Sequence, residues 1–232
     1  MQQKSEVFSA SDCSGLRAEW PQETQPRRSH NVRDLFEIAT VFTLIIVAVW
    51  TPRGRVNAFV SISAAACVVA FAVVGRWSTR ELGFRRPSAG FGYTLLSGAL
   101  LCGAIVLIGS PLRFAGAGNS LPLSRSWQYV VWALAQEFIL QGIFFLRLES
   151  LLGSRRAVLA AAGLFAIAHI PSPLLTLLSF LGGILFCELF RRFRNLYPLG
   201  LIHGALGLTI AAILPDRWLH HMRVGLGYLR FH

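Results

Sequence analysis

Seven apolar runs punctuated by arginine-bearing turns leave this chain few ways to fold. A helix crosses the hydrocarbon core of a bilayer in roughly 20 residues, with about 17 to 25 tolerated. The runs at 34–50, 58–74, 91–110, 127–146, 174–190 and 196–214 approach that length, and a shorter one follows Arg155 and Arg156 and ends at Ile170-Pro171-Ser172-Pro173. Within lipid every backbone polar group needs an internal partner, and a helix supplies it within one segment. The expected fold is therefore all-α, a polytopic transmembrane bundle of about seven spans. Composition agrees, because 14% charged residues, against about 25% in a soluble domain, are too few to coat a water-facing surface.

The chain divides by composition. Residues 1–33 form a polar arm containing Pro21 and Pro26, residues 34–75 two spans, residues 76–214 a core, and residues 215–232 a short polar and amphipathic tail. The arm has neither an early apolar stretch nor a small-residue cleavage site, so it reads as a cytoplasmic extension rather than a signal peptide, with room for a short amphipathic helix near the bilayer. A Gly/Ser/Pro-rich loop at 116–124 separates the third span from the fourth. No repeat of 20 to 50 residues is evident.

A net charge of +11 would suit a nucleic-acid partner if the charges formed a stripe. They lie between apolar runs instead, and Lys4 is the one lysine. Arginine placed this way marks cytoplasmic loops and lipid headgroup contact, so the partner expected is the bilayer and not nucleic acid. With the N-terminus inside, fifteen of the basic side chains fall on the cytoplasmic side and seven outside. Trp50, Trp77, Trp127 and Trp218 fall at span ends, where an aromatic belt belongs. Between the second and third spans, Arg76-Trp77-Ser78-Thr79-Arg80-Glu81-Leu82-Gly83-Phe84-Arg85-Arg86-Pro87 interleaves arginines with apolar side chains and reads as an interfacial segment. Cys67, Cys102 and Cys187 sit in apolar runs without CxxC spacing and read as small packing residues.

The informative residues are those that a bilayer should reject. A charge at the centre of a span costs about 2.5 to 3.5 kcal/mol on the lenient insertion scale, so it needs a partner or a purpose. Glu137 lies near the middle of the fourth run, with Gln136 beside it and Gln141 one turn on, on the same helical face. His169 lies near the outer end of the fifth run, and His203 about seven residues into the seventh. Glu188 is placed to pair with Arg191 or Arg192 and reads as structural. His220, His221 and His232 fall in the tail and are given no role.

These residues occur in three ordered segments. Gln136-Glu137-Phe138-Ile139-Leu140-Gln141-Gly142, then Phe165-Ala166-Ile167-Ala168-His169, then Tyr197-Pro198-Leu199-Gly200-Leu201-Ile202-His203 resemble the EExxxR, FxxxH and HxxxN motifs of the CPBP family, the CAAX-protease and bacteriocin-processing (Abi) intramembrane endopeptidases. The Leu82-Gly83-Phe84-Arg85-Arg86-Pro87 stretch is similar to a segment common ahead of that family's core, and the resemblance extends over residues 76–214. It implies an endopeptidase of membrane helices in which a glutamate and a histidine activate water and a second histidine stabilises the oxyanion. By position, Glu137 matches the second acid, Phe165 the aromatic, and His169 and His203 the two histidines; Gln136 and Gln141 would support them. Three positions depart from the motifs: Gln136 stands where the first acid is usual, Gln141 where the arginine is, and Gly207 where the asparagine is.

The chemistry can also be stated from the residue types alone. Peptide hydrolysis needs a base for water, a donor for the oxyanion and an acid for the leaving amine, and one glutamate with two histidines can divide those roles. The same three side chains could instead hold zinc with an open position for water. With no HExxH pair, and with a resemblance that points to a glutamate mechanism, the expectation is no cofactor. The substrate expected is a membrane-associated protein or peptide cut near its terminus, such as a protein with a C-terminal sorting signal. The rival readings are a catalytically inactive scaffold or binding protein of the same fold, favoured by the three departures, and a small transporter carrying protons on Glu137.

Overall fold

A computed structural model of the chain describes residues 31–113 and 123–230. The expected arm helix, most of the loop at 116–124 and His232 lie outside them. Among the described residues there is no strand, and each of the seven apolar runs is helical.

The long helices are α1 (Asn31–Trp50), α2 (Arg55–Val73), α3 (Phe91–Arg113), α4 (Leu123–Phe138), α6 (Ser154–Ile167), α7 (Pro173–Phe193) and α8 (Leu196–Ile213). A π-helical stretch (Ile139–Phe145) and then α5 (Leu146–Leu152) continue α4 without a break, so the expected fourth span is longer than its apolar run. Two short helices, α9 (Asp216–Leu219) and α10 (Leu226–Leu229), close the chain. Among the described residues five stretches are long and apolar enough to cross a membrane: Arg55–Val73, Phe91–Pro111, Ser126–Leu152, Pro173–Phe193 and Leu196–Ile213. The other two expected spans differ for physical reasons. α1 carries Arg33, Asp34 and Glu37 in its opening turns, and α6 has 14 residues, too few to cross alone.

Pro111, expected just beyond the third span, lies inside α3. α7 begins at Pro173, whose missing N–H costs nothing in a first turn, and ends at Arg194 in the left-handed conformation (φ 47°). Asn195 then starts α8, its side chain accepting from the Tyr197 N–H at 3.3 Å and donating to the carbonyls of Pro87 (2.7 Å) and Ala89 (2.9 Å). The interfacial segment is tied to the same turn. Gly83 adopts φ +86°, accepts from the Leu196 N–H at 3.1 Å, and leaves no room for a side chain, because a Cβ there would lie 2.8 Å from the Phe190 ring.

The packing is uneven. α2 and α3 leave most of their apolar side chains exposed, as lipid-facing helices do, whereas the π-helical stretch is buried almost throughout. Lipid is as apolar as leucine, so close backbone approach must hold membrane helices together. Gly200, Gly204 and Gly207 supply it on one face of α8. Cβ atoms at Gly200 and Gly204 would lie 3.0 Å from Leu134 Cα and 3.2 Å from Val130 Cα of α4.

The ends of the bundle correct two sequence expectations. Arg76 and Arg147 are not simply loop charges that set topology. Arg147 is fully buried and Arg76 partly so, and both pair with acids of α1. The tail also packs back onto the bundle: the Gly225 N–H donates to Ile170 O at 2.9 Å, and the half-buried His220 packs on Tyr228 with ring centroids 4.4 Å apart.

Candidate active site

Glu137 is completely buried near the middle of the longest apolar helix. Its Oε1 lies 2.8 Å from Nδ1 of His203 on α8, and its Oε2 accepts from Nε2 of Gln141 at 3.0 Å. The glycine face of α8 makes the first bond possible, since His203 adjoins Gly204 and the two backbones nearly touch there. The second bond depends on the π-helical stretch, which contains Gln141 and begins two residues after Glu137. With Glu137 ionised, Nδ1 of His203 donates, which leaves Nε2 as the acceptor on the far side of the ring.

His169 lies in the turn after α6. Its Nδ1 is 2.7 Å from the carbonyl of Phe165. A carbonyl can only accept, so Nδ1 carries the proton and Nε2 the lone pair. Among the described residues His169 makes no hydrogen bond to Glu137 or His203. The Phe165 ring joins them instead, with its centroid 4.8 Å from that of His169 and 5.8 Å from that of His203. Sequence depth counting put His169 nearer the outer surface than the other two, and Phe165, one turn deeper, spans that difference.

Of the supporting residues, Gln141 and Phe165 are in the cluster, and Gln136 is not joined to it. Gln136 is half-buried and makes no hydrogen bond to Glu137 or either histidine. Gly207 is one turn beyond His203, and the space where its side chain would stand is filled by Tyr129. A Cβ at Gly207 would lie 2.1 Å from the Tyr129 hydroxyl oxygen.

Two neighbours were not legible as site residues in sequence. Phe186 of α7 stacks on His203, with centroids 5.1 Å apart and planes 19° from parallel. Cys187, the next residue of α7, is fully buried. The signal for Phe186 was only an aromatic in an apolar run, which most often means packing. Glu188, next along, forms the expected pairs with Arg191 (2.8 Å) and Arg192 (2.7 Å). Among the described residues no three His, Cys, Asp or Glu side chains come together as a metal-ligand set, so Glu137, His169 and His203 are not arranged as one.

A polytopic bundle that buries a glutamate against a histidine from another helix, with a second histidine across an aromatic ring, defines a membrane protein equipped for acid–base chemistry. Residues 119–209, less than half of the chain, match the family model described as Rce1-like, type II CAAX prenyl endopeptidase Rce1-like. This part of the chain is similar to the CAAX-protease family, the CPBP group that its three motifs resemble, and the apolar helices make the chain an integral, multi-pass membrane protein. No curated protein and no solved structure gave a match.

Proposed function

We propose that this protein is an intramembrane endopeptidase that hydrolyses a peptide bond near the membrane-associated terminus of a protein or peptide, with Glu137, His169 and His203 as its catalytic residues. The Glu137–His203 hydrogen bond carries this reading. A carboxylate in an apolar span is unfavourable, and a histidine from a neighbouring helix offsets that cost while keeping a titratable pair in place. The similarity of residues 119–209 to the CAAX-endopeptidase model makes a protease the activity to test first.

In this reading Glu137 takes the proton from water as the water attacks the scissile carbonyl. Its second oxygen is held by Gln141, which keeps the carboxylate from rotating. His203, donating from Nδ1 to Glu137, holds the carboxylate in place while the proton taken from water passes on from Glu137 to the leaving amine. His169, with its proton fixed on Nδ1 by Phe165 O, becomes an oxyanion donor once Nε2 is protonated. No metal is needed for these steps. The substrate class proposed is proteins with C-terminal sorting signals, met in a bacterial inner membrane with the N-terminus of the enzyme cytoplasmic.

The test is cleavage of a membrane-anchored fluorogenic peptide in proteoliposomes by the native chain, Glu137→Gln, His169→Ala and His203→Ala. Loss of cleavage in all three variants is expected. Equal cleavage by all four proteins would overturn the proposal and leave the inactive-scaffold reading, which Gln136, detached from the cluster, favours.

A further inference from the structure

The largest buried polar group outside this site is an ion cluster at one end of the bundle. Arg147 of α5, fully buried, pairs with Glu37 of α1, which is 3% exposed, at 2.5 Å. Its remaining donors reach backbone carbonyls, Gly142 O at 2.5 Å with Ile143 O beside it at 3.5 Å, and Phe71 O at 3.3 Å. Glu37 also accepts from Arg33 at 2.8 Å. Beside it Asp34, likewise buried, accepts from Arg76 and Ser150, both at 2.5 Å. One guanidinium therefore ties α1, the end of α2 and the π-helical stretch to one another.

The carbonyl that Arg147 holds belongs to Gly142, next to Gln141 and inside the widened turn. A π turn contains one residue more than the α turn it replaces. Were it to relax to α-helix, everything upstream would rotate by about 100° and shift by about 1.5 Å relative to α5. Glu137 lies just upstream, and a rotation of that size would carry its carboxylate out of reach of His203. The direction in which Glu137 points thus depends on whether the turn stays wide. A turn held by a donor anchored to two other helices is harder to relax than one held by its own backbone.

We infer that Glu37 is a remote positioning residue: through Arg147 it keeps the turn at Gly142 wide and so keeps Glu137 aimed at His203. The α1–α2 pair is then part of the catalytic scaffold rather than a membrane anchor attached to it. This rests on Glu137 and His203 being the reacting pair, but the geometric link can be read without any substrate.

The experiment uses the full-length protein labelled with ¹⁵N-histidine in detergent micelles. The His203 imidazole signal, assigned by its loss in His203→Gln, reports the bond to Glu137, and Glu137→Ala, which has no acceptor, supplies the signal of a broken bond. Glu37→Gln is expected to move the His203 signal to the position seen in Glu137→Ala, and Glu37→Asp to leave it near native. In proteoliposomes with the fluorogenic peptide, Glu37→Gln should lower kcat about 100-fold, as a misplacement near 1 Å does, with KM little changed. If Glu37→Gln does not fold, Arg147→Lys serves, since one ammonium keeps the charge but cannot span the same partners. A native His203 signal in the folded variant would overturn the inference. Native and Glu137→Gln proteins that cleave equally would instead sink the protease reading, while the histidine spectra would still decide the geometric one.

Discussion

Two groups of buried polar side chains sit in this bundle, and they are built differently. Around Glu37 and Asp34, buried acids meet buried or half-buried arginines, and Arg147 spreads its donors over a carboxylate and three carbonyls. Around Glu137, the acid meets one imidazole and one amide, both histidines keep an Nε2 with no hydrogen bond among the described residues, and the Gln141 carbonyl oxygen is buried without a partner. In the first group both acids are neutralised by guanidinium groups. In the second the acid has an imidazole and an amide as partners, groups that can give or take a proton or turn toward a substrate.

The contrast can be broken most directly at the two acids. Glu137→Gln should lower peptide hydrolysis by about 100- to 10,000-fold, the range for a lost general base, while its melting temperature in detergent stays near native. A large fall in melting temperature with activity retained would exchange the roles of the two clusters. Arg147→Ala should lower unfolding free energy by about 3 to 5 kcal/mol, measured by denaturant titration in mixed micelles, because it removes the buried partner of Glu37 and leaves that acid paired with the exposed Arg33. Gly207→Ala sharpens the comparison at its edge. The added Cβ overlaps the Tyr129 hydroxyl and should cost about 1 to 3 kcal/mol by overpacking, readable in the same titration, whereas Tyr129→Phe with Gly207 intact should cost less. The smallest effect belongs to Glu188→Gln. Its partly exposed pairs with Arg191 and Arg192 are worth about 0 to 1 kcal/mol, and both the denaturant midpoint and hydrolysis should stay close to native.

The sequence was a good guide to the helices and an incomplete one to the charges. Apolar runs separated by Pro, Gly and Arg mark helices whatever their neighbours do, so seven helices could be read directly; they differ from expectation at ends such as Pro111, in the extension of the fourth span to Leu152, and in α1 and α6, which fall outside the stretches long and apolar enough to cross a membrane. Charge was misread where it lay near a run's end. Arg76 and Arg147 looked like loop arginines, and Asp34 and Glu37 looked like the start of a span. The spacing of Asp34 and Glu37, three residues apart on one helical face, was the available signal of partners on that side of α1, but nothing local names a partner that is 110 positions away.

By itself, then, the sequence determined an all-helical membrane chain and the identity of three protonatable side chains in its apolar runs, because hydrophobic length and motif order are local properties. Only the tertiary structure decided that Glu137 bonds His203, that His169 reaches them through Phe165, that Tyr129 fills the place beside Gly207, and that Arg147 faces α1 rather than water. Each of these depends on how closely two helices approach and how one turn is wound. A shift of about 100° from a single added residue is enough to change them.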